Sequence, residues 1–129
     1  IVEYTNSGLR FWGSTIDLTP FFRFRSVWTQ FHKLEVTIQE IHQHVKKLQM
    51  MFLKNNPYLE IIDTELEQLG HFLCFHFKEV SHAKLLHDQL REMSILTDFR
   101  GTILRFGFSC YQDEENIKSV KAALKQLKS

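Results

Sequence analysis

Leu34, Ile38, Ile41, Val45, Leu48 and Phe52 recur at alternating spacings of four and three. That spacing places all six on one side of a helix, and an apolar stripe of this length must be covered by something. Lys33, Glu35, Gln39, Glu40, Gln43, Lys46 and Lys47 take the remaining positions. The pattern predicts one long helix from about Phe31 to Asn55, stopped by Asn55-Asn56-Pro57. At 1.5 Å per residue it would be roughly 35 Å long, enough to span the edge of a larger body. A coiled coil is the weaker alternative, since fewer than four heptads are present.

After Pro57 the period changes from that of a helix to that of strands separated by helices. Leu59 to Thr64 is a candidate strand, and Leu69-Gly70 a turn. His71 to Phe77 reads as a strand with no strongly polar face, and therefore as a central one. Ser81 is placed to cap a helix to about Met93, with Ala83, Leu86, Leu90 and Met93 inward. Ile95 to Phe99 is a short strand or extended link. Arg100-Gly101 turns the chain into a strand over Thr102 to Phe108. Asp113 caps a last helix to about Lys128, with Ile117, Val120, Leu124 and Leu127 inward. Ahead of the long helix, Thr19-Pro20 fits a cap followed by proline at the first helical position, with Asp17 as a competing cap, and predicts a short helix to about Trp28. Helices covering one side of a small antiparallel or mixed sheet, preceded by a long helix, make an α+β fold. The expected division is an interface segment and short helix over 1–30, a connecting helix over 31–56 and an α+β domain over 57–129.

Composition bounds the function. A net charge of +1 points to neither nucleic acid nor an anionic membrane. Phe21-Phe22-Arg23-Phe24-Arg25 interleaves aromatic and basic side chains, but without a wider basic patch it reads as a helix packing its phenylalanines while its arginines reach water or a neighbour. Two cysteines, Cys74 and Cys110, make no disulfide framework and fit a reducing, cytoplasmic setting. No apolar run is long enough to cross a bilayer. The chain begins Ile1-Val2-Glu3, which reads as a processed or excised piece. No phosphate-cradling or nucleophile motif is present. Cys74 and His76 share a strand face but lack partners of ligand spacing. His42 and His44 stand about 200° apart around a helix, so no metal is expected.

Two features carry chemistry. In Thr102–Phe108, Leu104, Phe106 and Phe108 alternate with Ile103, Arg105 and Gly107. A charge in an apolar strand is costly unless an anion meets it. That anion is either a substrate carboxylate or an internal partner such as Asp98 or Glu79. The second feature is Gly13-Ser14-Thr15 ahead of a helix, where small and hydroxyl residues suit a phosphate or serve only as a capped loop.

The two features occur in the order found in a known family. Arg10-Phe11-Trp12-Gly13-Ser14-Thr15, Gly70-His71-Phe72-Leu73, Thr97 to Gly107 and the closing Tyr111 to Leu127 resemble the C-terminal part of the kynureninase family. That family belongs to the fold type I pyridoxal-phosphate superfamily, close to the class V aminotransferases. The resemblance implies the small domain of the aspartate-aminotransferase-like fold. It implies that Arg105 binds the α-carboxylate of an amino-acid substrate of kynurenine type. It implies that Ser14 and Thr15 lie at a homodimer interface and help bind the phosphate of pyridoxal 5′-phosphate across it, with Thr15 also approaching the substrate ring in some relatives. The family's proline after the threonine is here replaced by Ile16-Asp17. The Schiff-base lysine and most cofactor ligands belong to the family's large domain. The whole enzyme is thus expected to be a hydrolase of tryptophan catabolism releasing anthranilate and alanine, and this chain alone is expected neither to turn over nor to hold the cofactor. A transaminase- or desulfurase-like relative, a free-standing α+β carboxylate-binding or interaction module, and a dimerisation domain built on the long helix are the alternatives.

Overall fold

The computed structural model describes residues 6–7, 17–54 and 69–127. The chain divides into two units, Ile1–Thr37 and Ile38–Ser129. The described helix of the first unit is α1, Thr19–Lys33. Asp17 caps its start: its Oδ1 accepts the Thr19 N–H at 2.9 Å, and hydrogen bonds from the Thr19 side chain and backbone hold the Asp17 carboxyl below its ordinary value. Pro20 falls in the first turn, where its missing N–H costs nothing. No side chain of α1 is buried. Phe24 stacks on Trp28 one turn on, with centroids 6.0 Å apart, but Phe21, Phe22 and Phe24 remain exposed. The expectation that the phenylalanines pack inward is not met within this unit.

The expected continuous helix over Phe31 to Asn55 is interrupted. Glu35 takes φ 54°, its N–H reaches the His32 carbonyl, and the Val36 N–H reaches back to the Phe31 carbonyl. These two bonds are the Schellman arrangement, which closes a helix and usually uses glycine at the left-handed position. With Val36 and Thr37 β-branched, the local preference is for extended backbone. Leu34 therefore falls outside any helix, and Leu34 and Ile38 are exposed.

The second unit opens with α2, Ile38–Leu53, the helix that precedes the sheet. Among the described residues three strands follow, β1 (Phe72–His76), β2 (Asp98–Arg100) and β3 (Ile103–Gly107), with α3 (Val80–Glu92) between the first two and α4 (Glu114–Leu127) after the third. The sheet is antiparallel in the order β1-β3-β2. The expectation that His71 to Phe77 is central is thus corrected: among the described residues β1 lies at the edge and β3 in the centre. The outward side of β1 looked apolar because Phe72 lies there against Gly107, where a Cβ would come within 3.4 Å of its ring. The candidate strand Leu59 to Thr64 lies outside the described residues.

Alternation along the strands decides which face is covered. Leu73 and Phe75 of β1 and Leu104 and Phe106 of β3 are buried against Val45, Leu48 and Phe52 of α2, Leu90 of α3, and Ile117 and Leu124 of α4. Phe52 is the hub, with ring centroids 5.0 Å from Phe106, 5.6 Å from Phe108 and 5.9 Å from Phe75. Burying these four rings together with the surrounding leucines supplies the apolar stabilisation of this unit.

Polar side chains fix how the helices lie. Lys47 pairs with Glu114 at 2.6 Å, and His44 Nε2 meets the Gln112 carbonyl. Lys121 Nζ donates to the Met51 carbonyl at 2.9 Å and to that of Lys54. Contacts advancing together along both helices mean that α2 and α4 run parallel, and Lys121 serves the open carbonyls at the end of α2. Lys46 and Gln49 donate to the Leu69 and Gly70 carbonyls and hold the entry to β1.

The helix ends are also specific. Asp113 and Asn116 exchange side-chain and backbone bonds at 2.9 Å, a reciprocal cap at the start of α4. For α3 the expected cap Ser81 is not used: the helix begins at Val80 after an extended Glu79 that makes no side-chain cap bond. Its other end is a second Schellman closure, with Ser94 at φ 62° and the Ile95 N–H on the Leu90 carbonyl at 2.9 Å. Ile95 packs on the core that buries Leu90.

Candidate functional site

The face of the sheet away from the helices carries Phe72, Cys74 and His76 of β1, Ile103, Arg105 and Gly107 of β3, and Asp98 and Arg100 of β2. Phe72, His76, Asp98 and Arg100 are exposed. Register sets the neighbours. Arg105 lies directly across from Cys74 on one side and from Asp98 on the other. Residues opposite each other in an antiparallel pair have side chains on the same face at about 5 Å.

Arg105 uses that proximity. Its Nε donates to Asp98 Oδ2 at 2.7 Å, and its Nη2 donates to the same oxygen. The Arg105 Cζ lies 5.6 Å from the centre of the Phe72 ring, within cation–π range. A second guanidinium, Arg100, approaches Asp98 Oδ2 with its Nε at 3.8 Å. The hydrogen bond from Arg105, with the charges of Arg105 and Arg100, holds the Asp98 carboxyl below its ordinary value. The Arg105 side chain is 28% exposed and that of Asp98 50%, so the pair is reachable from water.

The anion that meets Arg105 in this chain is therefore Asp98, one of the two internal partners weighed from sequence. The other, Glu79, stands at the start of α3. The cost of an arginine on this strand is met inside the protein, so cost alone no longer calls for a ligand. Geometry leaves room for one. Both bonds to Asp98 use the Nε–Nη2 edge, and among the described residues Nη1 meets no acceptor.

Phe72 also borders a groove of about 1090 Å³ that passes Gly107 toward α4 and takes in Leu96 and Tyr111. Among the described residues, no Asp, Glu, Lys or Arg lines it. Sequence reasoning missed Phe72 and Arg100 as members of the site. The available signal was Phe72 beside a strand with an unusual outward glycine, but only register brings Phe72 and Gly107 together.

Ser14 and Thr15, the expected phosphate residues, lie outside the described residues. Among the described lysines, Lys46 and Lys121 donate to protein carbonyls, and Lys47 and Lys118 pair with Glu114 and Glu115. Cys74 and His76 share the open face. Among the described residues no three His, Cys, Asp or Glu side chains gather to hold a metal ion, and no helix is long and apolar enough to cross a membrane. Comparison with protein-family models, with curated proteins and with solved structures found no match.

Proposed function

We propose that this chain is the C-terminal small domain of a kynureninase-like, pyridoxal-phosphate-dependent hydrolase, in which Arg105 anchors the α-carboxylate of a kynurenine-type amino acid. The observation that carries the reading is the placement of Arg105. It stands on the sheet's open face, partly exposed, held by Asp98 and Phe72, with Nη1 meeting no acceptor among the described residues. A guanidinium fixed in this way orients a carboxylate through paired, charge-assisted bonds. The groove that Phe72 borders offers apolar surface between the sheet's edge and α4.

Pyridoxal 5′-phosphate would supply the electron sink for the reaction. On this reading the lysine that carries it belongs to the large domain, and Ser14 and Thr15 reach its phosphate across a cytoplasmic homodimer. The exposed phenylalanines of α1 fit the interface role expected of residues 1–30. What this chain contributes is binding and orientation, with no catalytic residue of its own.

The test is anthranilate release from kynurenine and from 3-hydroxykynurenine by the full-length protein. Arg105→Ala is expected to lower kcat/KM on the order of 100-fold, as loss of about 3 kcal/mol of charge-assisted binding requires. The Asp98 pairing favours a second reading, in which Arg105 is an internal ion pair on an α+β interaction module. An active enzyme whose kcat/KM is untouched by Arg105→Ala would leave that second reading standing.

A further inference from the structure

Asp98 occupies the most obvious place for a ligand carboxylate, and the simplest view makes it a competitor that must leave. The geometry points to the opposite role. A guanidinium has a side-on edge, formed by Nε and Nη2, and an end-on edge, formed by Nη1 and the second N–H of Nη2. Both bonds from Arg105 to Asp98 lie on the side-on edge and end on one oxygen, Oδ2. Phe72 lies within cation–π range of the same guanidinium.

We infer that Asp98 is a positioning residue: with Phe72 it locks the Arg105 side chain so that the end-on edge is presented to a carboxylate. The inference rests on the reading of Arg105 as a carboxylate anchor and adds to it the group that aims the anchor. Charge is compatible with both carboxylates being present together. Arg105 and Arg100 carry two positive charges against one on Asp98, so the cluster keeps a net +1 that attracts a second anion. The long arginine side chain has about 2 kcal/mol of rotamer entropy to lose on fixing. Asp98 takes that loss during folding, before any ligand arrives.

The two roles differ in sign. If Asp98 competes, removing its charge strengthens carboxylate binding at Arg105. If it positions, removing its charge weakens binding even though the site becomes more positive. The 129-residue chain, labelled with ¹⁵N, is titrated with sodium propionate while the Arg105 Nε–Hε cross-peak is followed, against sodium chloride at matched ionic strength.

The expected result is a saturable propionate shift in the unsubstituted chain, weakened at least fivefold by Asp98→Asn and largely restored by Asp98→Glu. The free Asp98→Asn chain should also show an Nε–Hε peak broadened by solvent exchange, while the buried Leu104 methyl peaks stay in place. Binding by the unsubstituted chain that Asp98→Asn leaves unchanged or tightens would overturn the positioning role and leave the anchor standing. No saturable shift above the chloride control would overturn the anchor itself and the positioning role with it. Should Asp98→Asn fail to fold, Phe72→Leu removes the ring beside the guanidinium, and unchanged propionate affinity there would overturn the inference.

Discussion

Helices α1 and α2 are similar in length and both are amphipathic, yet they end in opposite states. In α2 the stripe residues Val45, Leu48 and Phe52 are almost wholly buried. In α1 the aromatic side chains Phe21, Phe24 and Trp28 remain between 44% and 68% exposed. The contrast teaches that periodicity marks the face to be covered without saying what covers it. For α2 the cover is in the same unit, a sheet and two further helices. For α1 no cover is found among the described residues of its own unit, and on the proposed function that face belongs to a subunit interface.

The sharpest way to break this contrast is to remove one ring from each helix. Phe52→Ala deletes the hub of the aromatic cluster and should cost about 4 kcal/mol in urea denaturation. Phe24→Ala should stay within about 0.5 kcal/mol, as substitutions at exposed sites do. A loss at Phe24 comparable with that at Phe52 would mean that α1 is buried within the chain.

The caps give a smaller effect. Asp113→Ala removes a reciprocal cap from a helix locked into the core and should cost about 1 kcal/mol of global stability. Asp17→Ala should instead lower the helicity of α1 alone, read from amide chemical shifts of residues 21–24. Because bonding to Thr19 depresses the folded Asp17 carboxyl, its contribution is present above the ordinary carboxylate value and is lost as pH falls through the folded one. The same loss of α1 helicity should therefore appear on acidification of the unsubstituted chain. An α1 signal flat across that range would contradict the cap.

The smallest effect is expected at the two left-handed residues. Ser94→Gly relieves a strained φ at the end of α3 and should raise stability by about 0.5 kcal/mol, the gain being reduced by the freer unfolded chain. Glu35→Gly relieves the same strain at the end of α1, where no buried residue shares the benefit. It should leave the urea midpoint unchanged and sharpen only the local amide signals.

Much of the fold was legible where the deciding interactions are short-range. Ile117 and Leu124 of α4 are buried, with Val120 and Leu127 packed against the same core. Asp113 caps that helix, and Gly101 turns the chain with φ 57°. On β3, Leu104 and Phe106 go inward and Arg105 outward as period two requires. The break at Glu35 was not legible. The apolar spacing runs unbroken through Leu34 and Ile38, and no glycine or proline marks the left-handed turn.

For the site, the sequence by itself determined that Arg105 would face away from Leu104 and Phe106, because a strand has only two sides. It also kept Asp98 and Glu79 open as partners. Tertiary structure chose between them. Strand order put β3 between β1 and β2, and register set Asp98 opposite Arg105 and Phe72 opposite Gly107. The β1–β3 register joins segments far apart along the chain, whereas β2 and β3 form a local hairpin over Gly101-Thr102 that sets Asp98 opposite Arg105 seven residues on. Side was therefore readable one strand at a time, the Phe72–Gly107 pairing was not, and the Asp98–Arg105 pairing depended on the span of that short turn.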